Sequence, residues 1–172
     1  DNINRIVNGI ELTAHGALQN SHHYFERTNI QHYRGTAFKM GTGSAVGHLF
    51  VQCGFSPAGD DKGDYGLSTA DGGAFTWIGG GGDAGDLGVA HLAAPSGDII
   101  FDGLNVEKTR YLLSTPSNDD TTGGSVRFLH CRIDLDSNIG VNHLLDWPLD
   151  TKLTMEGSLI SYFKLWTVNI SN

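Results

Sequence analysis

The sequence predicts an all-β chain wound into a solenoid of short parallel strands. Three observations carry that prediction. Of 172 residues, 24 are Gly and only 4 are Pro, with no strict triplet period, so the chain turns often without being collagen-like. Apolar residues come in short clusters bounded by Gly, Ser, Thr, Asn and Asp, the pattern of many short strands rather than of helices. A weak repeat recurs, in which the closing apolar positions 106, 133 and 160 stand 27 residues apart.

The elements follow in chain order. INRIVNGIEL places Val7, Ile10 and Leu12 in the first copy, and HYFERTNI places Phe25, Thr28 and Ile30 in the next. HLFVQCGF supplies Leu49, Val51, Cys53 and Phe55, with one residue fewer than the later copies. GDIIFDGLNV carries Ile99, Phe101, Leu104 and Val106. GSVRFLHCRI carries Val126, Phe128, Cys131 and Ile133, and TKLTMEGSLI carries Leu153, Met155, Ser158 and Ile160. Each copy, of about 18 to 27 residues, reads as one rung, with strands about 4.8 Å from those of the next. Phe25, Val51, Phe101, Phe128 and Met155 then form an inward stack. Thr28, Cys53, Leu104, Cys131 and Ser158 form a small-residue corner column. On this register the two cysteines lie about three rungs, roughly 15 Å, apart, too far for a disulfide.

Segment 56–98 does not fit the repeat and reads as an irregular Gly-rich insertion. Within it, Gly79 to Gly82 read as a flexible loop rather than a phosphate cradle. The whole is one domain, 1–172, of about six or seven rungs and about 30 Å in length. The alternative is a β-sandwich or jelly roll, which would have no such register.

Composition bounds the partners. Lys and Arg total 11 against 19 Asp and Glu, a formal net charge of −8. Nucleic acid and anionic membrane surfaces both require a basic footprint, so neither is expected. No run of about 18 apolar residues is present to span a membrane. Cys53 and Cys131 make no disulfide framework and match no metal-ligand spacing; they read as small buried apolar side chains. The chain starts at Asp1 and stops after the apolar stretch 165–170, as expected of a processed chain or a piece of something longer.

The segments HYFERTNI, GHLFVQCGF, DIIFDGLNV, VRFLHCRIDL and LTMEGSLI resemble the rung motif of the pectin-lyase-like superfamily of right-handed parallel β-helices. The resemblance covers about 7 to 160 and is weak over 56–98. It implies a single-stranded right-handed parallel β-helix. The polygalacturonase-like catalytic set does not carry over, because Gly47-His48-Leu49 lacks the second Gly and no Arg-Ile-Lys occurs. Neither a pectate-lyase-like calcium cluster nor the alginate-epimerase Asp-Pro-His-Glu sequence is matched. The remaining resemblance is to a phage tailspike or polysaccharide depolymerase segment. It implies a homotrimer at the virion surface or outside the cell that binds, and in some cases cleaves, bacterial surface polysaccharide.

Candidate chemistry starts from the outward position after each rung's last inward residue: Gln31, Ser56, Glu107, Asp134 and Ser161. Glu107 and Asp134 would be neighbours about 4.8 Å apart, near the carboxylate spacing of retaining glycosidases, and Asp136 points the same way. The other reading is a solvated acidic face, partly neutralised by Lys108, Arg110 and Arg132. Trp77, Tyr65 and Tyr111 lie in or near the long loops, where rings can stack on sugars, and Arg110 joins them as a substrate-binding candidate. Trp77 could equally pack a loop onto the coil. Asp60, Asp61 and Asp64 could hold Ca²⁺, against the reading of an ordinary acidic turn. No other cofactor is expected. The eight His form no His-x-His or His-x-x-x-His pair and read as lone surface or corner residues. The competing functions are a glycan-cleaving enzyme, a non-catalytic fibre or adhesin, and a shell or filament subunit.

Overall fold

The computed structural model describes residues 9–12, 22–40, 46–57, 65–69, 74–83, 88–92, 97–109, 111–114, 124–135, 143–147, 152–161 and 167–170. Every regular element among them is a β-strand. The first six are β1 (Ile10–Leu12), β2 (Tyr24–Glu26), β3 (Asn29–Tyr33), β4 (Thr36–Met40), β5 (Val46–Pro57) and β6 (Tyr65–Thr69). Next come β7 (Ala74–Asp83), β8 (Gly88–Leu92), β9 (Asp98–Asp102), β10 (Asn105–Thr109), β11 (Tyr111–Ser114) and β12 (Ser125–Leu129). The last are β13 (Arg132–Leu135), β14 (His143–Trp147), β15 (Lys152–Glu156), β16 (Leu159–Ser161) and β17 (Thr167–Ile170).

One sheet has the strand order β1-β4-β6-β8-β11-β14-β17. The second follows β15-β12-β9-β7-β10-β13-β16, with β5 pairing β2, β3 and β7. The pairings are parallel in both. A β-sandwich or jelly roll needs antiparallel neighbours, and none pair among the described strands. After β4 the chain alternates between the sheets, leaving one and returning one strand further along.

Each visit to the second sheet turns a corner at a residue with positive φ, and β7 keeps positive φ beyond its corner through Gly80, Gly81 and Gly82. The corner residues are Arg27, Gln52, Gly79, Gly103, His130 and Gly157, with φ between 49° and 67°. The corners stay bonded sideways: the amides of Arg27, Gly103 and His130 donate to the carbonyls of Val51, Leu129 and Glu156 at 2.8–2.9 Å. One residue on stands the small-residue column. The Cys131 thiol donates to the Leu129 and Phe101 carbonyls at 3.3 and 3.4 Å. Ser158 Oγ accepts the Cys131 amide at 3.1 Å. Small side chains belong here because they reach the second lone pair of corner carbonyls such as that of Leu129, which already accepts the Gly103 amide.

The core is a ladder of rings. Strand pairing aligns Phe25, Phe50, Trp77, Phe101, Phe128 and Met155 in one row. Ring centroids lie 5.0 Å apart for Phe25–Phe50, 4.7 Å for Phe50–Trp77 and 4.8 Å for Phe101–Phe128, stacked with their planes nearly parallel. That matches the spacing of paired strands, so lateral bonding and ring stacking reinforce each other. Phe38 from the other sheet packs edge-on against Phe50 and Trp77 at 5.4 and 5.3 Å.

Three expectations change. Phe50, not Val51, occupies the inward ladder, because Gln52 takes the corner and gives this copy the same count as the others. Segment 56–98 supplies β6, β7 and β8, and β7 pairs in register between β5 and β9. Gly79 to Gly82 are therefore strand residues rather than a loop. At Gly80, Gly81 and Gly82 a neighbouring backbone fills the place of a side chain, and at Gly79 the Gln52 carboxamide does, which is why the apolar repeat could not be seen there. His48 departs from a surface role too: it is buried, its ring stacks on His23 at 5.2 Å, and its Nδ1 accepts the His23 amide.

Candidate glycine-floored groove

Downstream of the corner, the second sheet presents an outward row of Asn29, Gly54, Gly81, Asn105, Arg132 and Leu159. Two adjacent strands thus carry no side chain between two asparagines. The gap is a groove of about 320 Å³, at the lower end of the ~300–1,000 Å³ typical of ligand sites. Its lining is Asn29, Gln52, Cys53, Gly54, Gly80, Gly81, Gly82, Asp83, Asn105 and Glu107.

The glycines are required rather than incidental. Gly81 has φ +122°, and a Cβ there would overlap the Asn105 carbonyl oxygen. A Cβ on Gly80 would overlap the Cys53 carbonyl oxygen. The floor is therefore bare peptide, with carboxamides and carboxylates on its margins. Cys53 lies beneath it; burial pushes its thiol pKa up, and the thiol donates to the Phe25 carbonyl at 3.5 Å. It is a packing residue and no nucleophile.

The acidic margin differs from the expected pair. Glu107 pairs in register with Asp83 of β7. Toward β13 the ladder shifts register between Val106 and Thr109, so Glu107 has no Cα partner there. Asp134 instead pairs with Ser161 and receives Arg132 Nη2 on Oδ2 at 3.2 Å. Its Oδ1 is buried without a hydrogen-bond partner among the described residues. Asp134 is not among the lining residues, while Asp83 is. Asp83 was missed because its strand lay hidden in the segment where the repeat fails.

The aromatic candidates do not converge on this groove. Trp77 is fully buried, with Nε1 donating to the Gly79 carbonyl at 2.9 Å, so it cannot be a sugar platform. Tyr65 and Tyr111 lie in the other sheet, both registered to Gly88. Asp136, Arg110 and the calcium candidates Asp60, Asp61 and Asp64 lie outside the described residues. Among the described residues no three His, Cys, Asp or Glu side chains converge as metal ligands, and no helix is long and apolar enough to cross a membrane.

Comparisons with protein-family models, with curated proteins and with solved structures find no match. The class is thus defined by architecture and site alone: an all-β chain of parallel sheets carrying a polar groove floored by glycine.

Proposed function

We propose that the chain is a right-handed parallel β-helix whose glycine-floored groove binds a neutral, hydroxyl-rich polysaccharide. The cyclic return of the chain to each sheet supports the coil, and the handedness follows the strong right-handed preference of parallel crossovers. The observation that carries the binding role is the lining itself. Carboxamides and carboxylates hydrogen-bond hydroxyl groups well, and bare peptide lets a flat chain approach closely. The lining holds Asp83 and Glu107 and no Lys or Arg, so it repels uronates and other polyanions. The same reading sets the protein at a virion or cell exterior, where tailspike-like fibres meet surface glycans.

A second reading adds cleavage. Asp83 and Glu107 are register partners, with backbones about 4.8 Å apart, close to the ~5–5.5 Å of a retaining carboxylate pair. One would attack the anomeric carbon while the other protonates the leaving oxygen. Incubation with neutral and acidic bacterial glycans, read by binding and by new reducing ends, tests both readings. Binding of neutral glycans that is weakened by Asn105→Ala supports the groove; no neutral glycan bound, or binding indifferent to that substitution, overturns it. Reducing ends lost in both Asp83→Asn and Glu107→Gln support hydrolysis; reducing ends unchanged in both remove it.

A further inference from the structure

Of the six corner residues, Gly79, Gly103 and Gly157 take the left-handed conformation without a side chain. Arg27, Gln52 and His130 hold it with a Cβ, against the local preference of the backbone. His130 is held by Asp102 at 3.1 Å. Of these three, Gln52 alone lines the groove. Its φ is 53° and its side chain is exposed. Among the described residues its carboxamide makes no hydrogen bond.

The carboxamide lies across the strands, over the next corner, where a Cβ on Gly79 would overlap Gln52 Nε2. Asn29 repeats the arrangement downstream of the corner, with Oδ1 3.0 Å from the place of a Cβ on Gly54. One corner further, a Cβ on Gly103 would meet nothing closer than 3.9 Å, so the ground beyond Gly79 is open. The bare corner at Gly79 is thus what lets Gln52 form the upstream wall of the groove.

The two walls differ in chemistry. Asp83 and Glu107, on the downstream side, only accept hydrogen bonds when ionised. β7 is paired on both sides over Gly81 and Gly82, which commits the peptide groups of the floor to the ladder. On the corner side, Gln52 is the lining residue with an N–H to give. A sugar hydroxyl can donate to the carboxylates. A ring, glycosidic or N-acyl oxygen carries no proton and needs a donor.

We propose that Gln52 is the specificity-determining residue of the groove, its Nε2 donating to a proton-free oxygen of the bound glycan. The inference rests on the glycan-binding reading of the groove and adds which kind of sugar atom is recognised, and by which side chain. It also accounts for a strained side chain kept at a corner that glycine fits more easily, since such strain gathers at ligand contacts.

Calorimetric titration with matched neutral oligosaccharides, with and without N-acetyl groups, tests it on the intact chain, Gln52→Met, Gln52→Gly and Asn105→Ala, with urea midpoints alongside. Gln52→Met keeps the stem over Gly79 and removes the donor, so affinity should fall at least about fivefold at an unchanged midpoint. Gln52→Gly should lose as much while its midpoint holds or rises, because glycine relieves the left-handed strain. A loss confined to the N-acetylated chain assigns the acyl carbonyl as acceptor, and an equal loss with both assigns a ring or glycosidic oxygen. Both Gln52 variants binding like the intact chain, while Asn105→Ala binds more weakly, would overturn this inference and leave the groove standing. No neutral oligosaccharide bound by the intact chain would overturn both. Midpoints lowered in both Gln52 variants with affinity unchanged would make Gln52 a packing residue and overturn the proposal.

Discussion

Replacing Gly81 by Ala should be far more damaging than replacing Gly103 by Ala, although both glycines have positive φ. At Gly103, φ is +67° and the nearest heavy atom to an added Cβ is 3.9 Å away. That substitution meets only the left-handed penalty, about 1 kcal/mol. At Gly81, φ is +122° and the Cβ would overlap the Asn105 carbonyl oxygen. Backbone strain there amounts to about 1–3 kcal/mol. Moving β10 aside also disturbs ladder bonds worth about 1 kcal/mol each. The expected loss is about 3 kcal/mol or more. Urea unfolding, followed by Trp fluorescence with buried Trp77 as a reporter, measures the difference. With an m-value of about 1–3 kcal/mol/M, Gly81→Ala should lower the midpoint by at least ~1 M, and Gly103→Ala by less than half as much. Equal shifts would refute the close backbone packing on which the groove depends.

Phe50→Ala should cost about 3–5 kcal/mol, as for a buried ring, and Val51→Ala well under half of that; comparable losses would contradict the register of the ring ladder. His130→Ala removes an exposed contact to Asp102 and should change stability by less than about 1 kcal/mol in thermal melts. Cys53 and Cys131 should react with thiol reagents at pH 8 only as fast as the chain unfolds, since both are buried. Burial also raises both thiol pKa values in the folded chain. The unfolded thiols, near pKa ~8.5, therefore ionise first. Their contribution is whole below about pH 8.5 and is lost as pH rises through the folded values, so urea midpoints should fall on the alkaline side.

Much of the fold could be read from residue spacing. The 27-residue register holds because Phe101, Phe128 and Met155 each stand two residues before a corner residue, and those corners bond their neighbours. Phe50 was one place from its expected position because a positive-φ Gln at the corner leaves no mark in hydropathy. The copy at 74–83 was illegible for a deeper reason. Trp77 holds the Phe place, but Gly80 holds the place of Leu104, Cys131 and Ser158, and Gly82 that of Val106, Ile133 and Ile160, and a missing side chain has no period. Only the neighbouring carbonyls, which are tertiary contacts, say why glycine is needed there. The acidic margin was half legible for the same reason: Glu107 sits in a visible copy and Asp83 in the hidden one. Trp77 looked like a loop platform because its strand looked like a loop.

Where a glycan touches the chain is the deciding observation. Backbone and side-chain amide chemical shifts, recorded while a neutral bacterial oligosaccharide is titrated in, would show it. The largest changes should fall on Asn29, Gln52, Gly80 to Asp83, Asn105 and Glu107, and a uronate oligosaccharide of equal length should leave them unmoved. Changes gathered around Tyr65 and Tyr111 in the other sheet, or equal responses to the neutral and acidic chains, would contradict the groove reading.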